Sequence, residues 1–150
     1  MKNYQSNQQL VNAFATFQSF DGKANSMYFS RTTIFSYGYH FPIATRTDEA
    51  TFFNISKYSN TTAKHQSLVR GALSRYDKNF IECIKVPTTS DIECNNLEAT
   101  HMANLSYWDS YIKNLNEDLV NPRVKNKEAR LTKIAELEAN RDAYKKYFNI

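Results

Sequence analysis

Residues 27–55 read MYFSRTTIFSYGYHFPIATRTDEATFFNI, and this stretch decides the fold. Its aromatic and β-branched residues favour the pleated surface of a β-sheet. The pattern predicts four strands, at about 26–30, 33–37, 39–45 and 50–55. Residues 47–49, Thr-Asp-Glu, provide the last turn. Because short strands that follow one another usually pair, the stretch predicts a small antiparallel β-meander.

On the N-terminal side of the meander, apolar residues recur at helical spacing. Leu10, Ala13, Phe14 and Phe17 follow a Ser or Asn cap, which predicts an N-terminal helix within residues 6–17. Residues 20–23, Phe-Asp-Gly-Lys, are typical of a turn, and we expect one between this helix and the first strand.

A second helix is predicted directly after the meander. The Ser, Asn and Thr residues of segment 58–62 supply an N-cap, and the helical period continues to about Tyr76. His65 lies in the middle of the apolar arc, so its ring is expected to point toward the sheet. The other residues of this arc are Leu68, Val69, Ala72, Leu73 and Tyr76. For residues 77–90 the sequence leaves two alternatives open, a short strand or an irregular connector.

The C-terminal part predicts an α-helical hairpin over residues 91–150. A seven-residue stripe runs through Leu97, His101, Leu105, Trp108, Ile112, Leu115 and Leu119. Pro122 suits the first turn of the next helix. A second stripe follows in Leu131, Ile134, Leu137, Tyr144 and Phe148. The fold class is therefore α+β, with an α+β module at 1–90 and the hairpin packed on it in one compact domain.

Composition excludes several classes of protein. The chain has 150 residues, 41% of them hydrophobic and 23% charged, which is ordinary globular usage. No run approaches the roughly 18 apolar residues of a membrane-spanning helix. The first residues lack the apolar stretch of a secretory signal, so we expect a cytoplasmic protein with no membrane partner. Cys83 and Cys94 have no second pair of cysteines beside them, and we expect both to be free thiols.

The charge is unevenly distributed along the chain. The net charge of +4 divides into +5 over residues 1–90, −5 over 91–122 and +4 over 123–150. Two alternatives remain open. The acidic and basic segments can be neighbouring helices whose charges complement each other, or they can separate a basic binding face from an acidic one.

Three histidines are candidates for a site, and each also has a structural interpretation. His40 is expected on the strand face opposite to Tyr37, Tyr39, Phe41 and Ile43, and Gly38 beside it suggests a bulge or a close backbone approach. The imidazole of His65 is expected to be buried and held by a backbone carbonyl or a Tyr hydroxyl. His101 is a polar core residue of the stripe that sets its register.

Packing of the second helix across the meander would bring His40 and His65 near Tyr37, Thr61 and Thr62. Two imidazoles with hydroxyl groups can form a phosphate-binding or acid–base site. No carboxylate is placed to orient either ring, and the spacing matches no zinc signature. We therefore predict no metal, no cofactor and no assigned catalytic residue.

Basic residues interleaved with aromatic ones point to nucleic acid, since cations neutralise phosphates and aromatic rings stack on bases. The candidate binding residues are Lys57, Tyr58, Lys64, Arg70, Arg75, Lys78, Lys85, Arg123, Lys125, Lys127, Arg130 and Lys133. The same residues suit a solvated helix surface or docking on an acidic protein, and charge alone does not separate these alternatives.

Two segments resemble an uncharacterised family of small phage and plasmid proteins. They are residues 34–44, IFSYGYHFPIA, and 58–70, YSNTTAKHQSLVR. The family has a Tyr-Ser-Tyr-Gly-x-His-Phe-Pro strand and a Tyr-Ser-x-Thr-Thr-x-x-His-x-Ser helix start, and Phe35 stands where it usually has Tyr. The positions that match are Tyr37, Gly38, His40, Pro42, Thr61, Thr62, His65 and Ser67. The resemblance covers roughly residues 8–75; it implies a mobile-element origin and an α+β module, but no activity.

These observations support three hypotheses. The first is a phage or plasmid accessory protein in the cytoplasm of a bacterial host, which binds DNA, RNA, or a host protein or complex that handles them. An inhibitor of a host defence such as a CRISPR effector is an example. The second is a small hydrolase or nuclease that uses His40 and His65, assisted by Tyr37 or Thr62. The third is a virion or replication accessory that forms a homodimer through its C-terminal hairpin.

Overall fold

The computed structural model describes residues 1–37, 41–76 and 80–150. They form two compact units, Met1–Leu97 and Glu98–Ile150. The strands of the described residues are β1 Lys2–Asn3, β2 Asp21–Lys23, β3 Met27–Ser30, β4 Thr33–Ser36, β5 Phe41–Arg46, β6 Thr51–Asn54 and β7 Phe80–Cys83. Their helices are α1 Asn7–Ala15, α2 Asn60–Tyr76, α3 Thr89–Glu93, α4 Glu98–Val120 and α5 Lys127–Phe148. In this part of the chain no helix has the length and apolar character to cross a membrane.

The sheet of the first unit confirms the predicted α+β class and the meander. Within the described residues seven strands pair in sequence order, and each successive pair from β2 to β6 is antiparallel. The two edge strands lie outside the predicted four-strand meander, and both pair in parallel, β1 with β2 and β7 with β6. A helix lies between the partners in each case, and a crossover of this kind returns the chain in the same direction. For residues 77–90, where the sequence left a strand or a connector open, the structure shows a strand at residues 80–83.

The predicted turn at residues 20–23 is wrong, because Asp21–Lys23 form strand β2. Gly22 pairs with Phe29 in register and lies against the core. A Cβ added at Gly22 would come within 2.6 Å of the Tyr4 ring, 2.8 Å of the Phe29 ring and 3.0 Å of Leu10 Cδ1. A glycine in this segment is also typical of a turn, but here it permits the close packing of strand β2 against its neighbours.

Helices α1 and α2 pack against one face of the sheet. Ser6 caps α1 as predicted, with its hydroxyl accepting the backbone N–H of Gln9. Phe17 does not join the apolar face, because the chain turns at a left-handed backbone angle (φ 55°) after the helix ends. The shared core includes Leu10, Phe14, Phe29, Ile43, Phe53, Val69 and Leu73.

The second unit is a helical hairpin, as predicted, but it begins at Glu98 and not at residue 91. Trp108 and Leu115 of the first stripe, and Ile134, Leu137 and Tyr144 of the second, are buried. The prediction for Pro122 is wrong, because α5 begins at Lys127 and is capped by the side chain of Asn126, which accepts the backbone N–H of Ala129. Leu131 is also misplaced by the prediction, since it lies in the first turns of α5 and is exposed.

The charge pattern has a direct counterpart in this hairpin. Arg130 Nε lies 3.0 Å from a carboxylate oxygen of Asp118, and Arg141 Nη1 lies 3.2 Å from Asp109. Both pairs join α5 to α4, which is the arrangement that the complementary-charge alternative requires. His101 lies at the same seam, where its Nδ1 is 2.6 Å from the hydroxyl of Tyr144.

Candidate functional site

His65 lies on the inward face of α2, as its place in the apolar arc predicts. Its exposed fraction is 4%, and Val69 and Ala72 are buried on the same face. Tyr76 departs from the arc because it is the last residue of the helix, where it is 55% exposed. The ring of His65 is therefore enclosed between α2 and the sheet.

Both ring nitrogens of His65 contact serine hydroxyls. Nε2 lies 2.9 Å from Ser26 Oγ, just before β3, and Nδ1 lies 2.6 Å from Ser36 Oγ at the end of β4. The prediction of a backbone carbonyl or a Tyr hydroxyl as the partner is therefore wrong. The backbone carbonyls of the strands accept hydrogen bonds from neighbouring strands. The serine hydroxyls beside β3 and at the end of β4 are therefore the groups left to bond the ring.

The hydrogen bonds around the ring have a consistent direction. Asn7 Nδ2 donates to Ser26 Oγ over 3.1 Å, so the Ser26 hydroxyl hydrogen can point to Nε2 of His65. We assign the remaining ring hydrogen to Nδ1, which donates to Ser36 Oγ. Ser36 in turn lies 3.3 Å from Thr62 Oγ1. The chain of hydrogen bonds thus connects α1, the β2–β3 turn, α2 and β4.

Sequence reasoning missed Ser26 and Ser36. For Ser36 a signal existed, because it lies two positions after the buried Ile34 and strand alternation places both on one face. For Ser26 no local signal existed, since it lies in a turn and reaches His65 across 39 positions of sequence. Its role depends on tertiary packing.

Burial lowers the pKa of His65, and the same cause lowers the pKa of His101. A neutral imidazole with an accepting Nε2 can take a proton from a hydroxyl group, as a general base does. It does not hold an anion by charge. The phosphate-binding alternative for this position therefore loses the positive charge on which it depends.

These lowered pKa values predict that stability falls in mild acid. The unfolded chain takes up protons at its histidines near pH 6.5, before the folded chain does, so protonation favours unfolding. We expect the free energy of unfolding to decrease as the pH drops below about 6.5, by at most about 1.4 kcal/mol per pH unit for each histidine. Urea denaturation between pH 7.5 and 5 measures this slope. The variant His65→Gln should reduce it, and an unchanged slope in that variant would contradict the assignment to His65.

The matched family positions do not all gather at the site. Thr62 is buried beside His65, with its backbone N–H donating to Ser59 Oγ at the helix start, which confirms the predicted Ser cap. The Tyr37 ring lies 5.3 Å from the His65 ring, but Tyr37 has left the strand with a φ of 51°. Thr61 and Ser67 lie on the outward side of α2.

Pro42 and two other family positions complete this set. Pro42 pairs with Phe35 at a register shift in β4, where the strand ladder tolerates a residue without an N–H, and its carbonyl accepts from Asn54 Nδ2 over 3.0 Å. Gly38 and His40 lie outside the described residues, as does Lys78 of the binding set. The pairing of His40 with His65 therefore stays a prediction.

The outward side of α2 carries three of the six predicted basic residues of the first unit, Lys64, Arg70 and Arg75. Lys64 and Arg75 are exposed there, Lys57 is exposed just before the helix, and Tyr58 is 73% exposed. Arg70 is also exposed but is paired, since its Nη1 lies 2.8 Å from Glu82 and its guanidinium group stacks on the ring of Phe53. Lys85 follows β7 and is exposed.

The basic residues of the second unit are more engaged with carboxylates. Arg130 pairs with Asp118, and Lys133 Nζ lies 3.7 Å from Glu136. Arg123 and Lys125 are exposed in the connection between α4 and α5, and Lys127 is half-buried at the start of α5. These side chains stabilise the hairpin in part, so they are a weaker candidate for a binding face.

Comparison with known proteins finds no matching family model, no matching curated protein and no matching solved structure. In the described ranges no three His, Cys, Asp or Glu side chains lie close enough to hold a metal ion. Cys83 is buried and Cys94 exposed, and both are free thiols.

Proposed function

We propose that this chain binds nucleic acid non-covalently through the outward face of α2. The observation that carries the proposal is a stretch of sequence without acidic residues around three cations. Segment 50–76 contains no Asp or Glu, and among the described residues Lys57, Lys64 and Arg75 form no ion pair. Cations without a carboxylate partner are free to exchange their counterions for phosphate groups.

The centre of this face is built from small side chains. Ala63, Ser67, Gly71 and Ser74 are exposed at spacings of four and three along α2. A Cβ placed on Gly71 would meet nothing within 4 Å. Lys64 and Arg75 lie on one flank of this small surface in helical projection, and Arg70 lies on the other. A phosphate backbone can approach such a helix closely and meet Lys64 and Arg75 on one side, whereas Arg70 on the other side is already paired with Glu82.

Exposed aromatic rings favour nucleic acid over an acidic protein as the partner. Tyr58 and Tyr76 lie at the two ends of α2, and both residues are more than half exposed. An exposed aromatic ring next to cations provides a stacking platform for an unpaired base. This favours a single-stranded segment as the bound form.

The biological setting is part of the same proposal and rests on the sequence resemblance alone. Small phage and plasmid proteins often act as accessories, and occlusion of a host nucleic-acid-handling complex requires a binding surface but no chemistry. We therefore propose a mobile-element accessory that contacts nucleic acid directly or within such a complex.

Neutralisation of two cations tests the interface. We expect Lys64→Gln/Arg75→Gln to weaken binding of a fluorescent single-stranded oligonucleotide and to reduce the slope of log K against log salt by about 1.4, because each of the two lost phosphate contacts contributes about 0.7. Fluorescence anisotropy from 50 to 300 mM salt measures both quantities. Tyr58→Ala should weaken binding by about 1–3 kcal/mol through the lost stacking.

The matched control is Arg123→Gln/Lys125→Gln, which removes the same charge from the exposed connection of the second unit. We expect this variant to bind like the wild type. Equal losses in both double variants would mean that net charge alone attracts the oligonucleotide, and would contradict a defined interface on α2. Absence of binding by the wild-type protein at 50 mM salt would contradict nucleic-acid binding itself.

A further inference from the structure

A cleft of about 380 Å³ opens beside the buried histidine, on a different part of the first unit from the outward face of α2. Its wall includes Ser26, Met27, Tyr28 and Tyr37. The volume lies at the lower end of the range of small-molecule sites, and the wall is largely apolar. A short acyl group fits a cleft of this size and character.

Ser26 belongs both to this cleft and to the hydrogen-bond chain of His65. A hydroxyl 2.9 Å from an imidazole nitrogen, with the second nitrogen held by another group, is the arrangement of an activated nucleophile. Ser36 takes the place that a carboxylate usually has and, in the hydrogen-bond direction assigned above, accepts the hydrogen of Nδ1. Nε2 is thereby left free to accept.

We propose that Ser26 is a nucleophile for a small carboxylic ester bound in this cleft, with His65 as its general base. Ser26 Oγ bonds to the ester carbonyl carbon while its proton moves to Nε2 of His65. The carbon–oxygen bond to the alcohol then breaks, and the alcohol leaves with that proton. A water molecule attacks the acyl-serine in the same way, which releases the carboxylic acid and restores Ser26. Lys23 lines the same cleft. In this proposal its ammonium group stabilises the negative charge that develops on the carbonyl oxygen.

The proposal revises the hydrolase hypothesis drawn from the sequence. In that hypothesis His40 and His65 act together and Tyr37 or Thr62 assists. Here the reacting hydroxyl belongs to Ser26, and Ser36 is a positioning residue. It is independent of the proposed nucleic-acid binding, because Lys64, Arg75 and Tyr58 take no part in it. Either one can fail without the other.

Covalent labelling of the intact wild-type protein tests the proposal directly. Diisopropyl fluorophosphate forms an oxygen–phosphorus bond with an activated serine and releases fluoride. We expect tandem mass spectrometry to place the adduct on Ser26 of the folded protein and not of protein unfolded in urea. Absence of an adduct on Ser26 in the folded protein would overturn the proposal. This result does not depend on the folding of any variant.

Hydrolysis of p-nitrophenyl acetate provides the second measurement. We expect Ser26→Ala to reduce hydrolysis to the rate in buffer and His65→Gln to reduce it by about 100-fold, the usual contribution of a general base. Ser36→Ala should lower the rate and shift its pH profile, whereas Ser36→Thr should restore both. The control Ser106→Ala, an exposed serine of α4, should match the wild type. Hydrolysis by a folded Ser26→Ala at the wild-type rate would overturn the proposal.

Discussion

Replacement of Gly22 by alanine is expected to lower the free energy of unfolding by about 1–3 kcal/mol, the usual effect of overpacking a core. The added Cβ would come within 3.0 Å of atoms of Tyr4, Phe29 and Leu10. The Phe29 ring and Leu10 belong to the shared core of α1 and the sheet, so they can move only if their neighbours move too. Urea denaturation at neutral pH measures the difference.

Gly71→Ala is the matched control for this prediction, because the same atom is added where nothing lies within 4 Å. Gly71 is an exposed residue of α2, where alanine is favoured over glycine by up to about 1 kcal/mol. We therefore expect the two substitutions to change stability in opposite directions. A Gly22→Ala variant as stable as the wild type would show that β2 is not packed as described.

Replacement of His65 by leucine is the second change with a large expected effect. Leucine has a similar volume, but it leaves Ser26 and Ser36 without their imidazole partner in the interior. The loss of a partner for a buried polar group costs about 1–3 kcal/mol, and Ser36 is fully buried. We expect the free energy of unfolding at pH 7.5 to fall by about 2–3 kcal/mol, measured by urea denaturation.

The triple variant Ser26→Ala/His65→Leu/Ser36→Ala separates the two roles of this cluster. Removal of all the partners together leaves no unpaired hydroxyl, so we expect part of the lost stability to return. This triple variant should not be labelled by diisopropyl fluorophosphate, because the nucleophile Ser26 has been removed. If His65→Leu is as stable as the wild type at pH 7.5, the hydrogen bonds of the ring contribute nothing to the fold.

Some features of the site could be predicted because they depend on local periodicity. His65 falls within the apolar arc of α2 by helical geometry alone, and its burial follows from the side of the helix that meets the sheet. The strands β3 to β6 follow from short runs of sheet-forming residues between turns. Such patterns show which side chains are buried, and each pattern is contained in a short segment of the sequence.

Other features could not be predicted because they depend on partners far away in the sequence. Asp21–Lys23 has the composition of a turn and becomes a strand because β1 and β3 pair with it on both sides. Tyr76 and Leu131 fit apolar stripes, yet both are exposed. The spacing of apolar residues along a helix does not show how far the surface that packs against that helix extends.

The amino-acid sequence by itself determined the α+β class, the four antiparallel strands of the meander, the inward side of α2 and the helical hairpin. Each of these follows from the repeat of apolar residues along a short stretch of chain. The tertiary structure alone decided the parallel edges of the sheet, the close packing at Gly22 and the contact of Ser26 with His65. These depend on the meeting of surfaces from separate segments, and the free energy of such contacts is not a property of either segment alone.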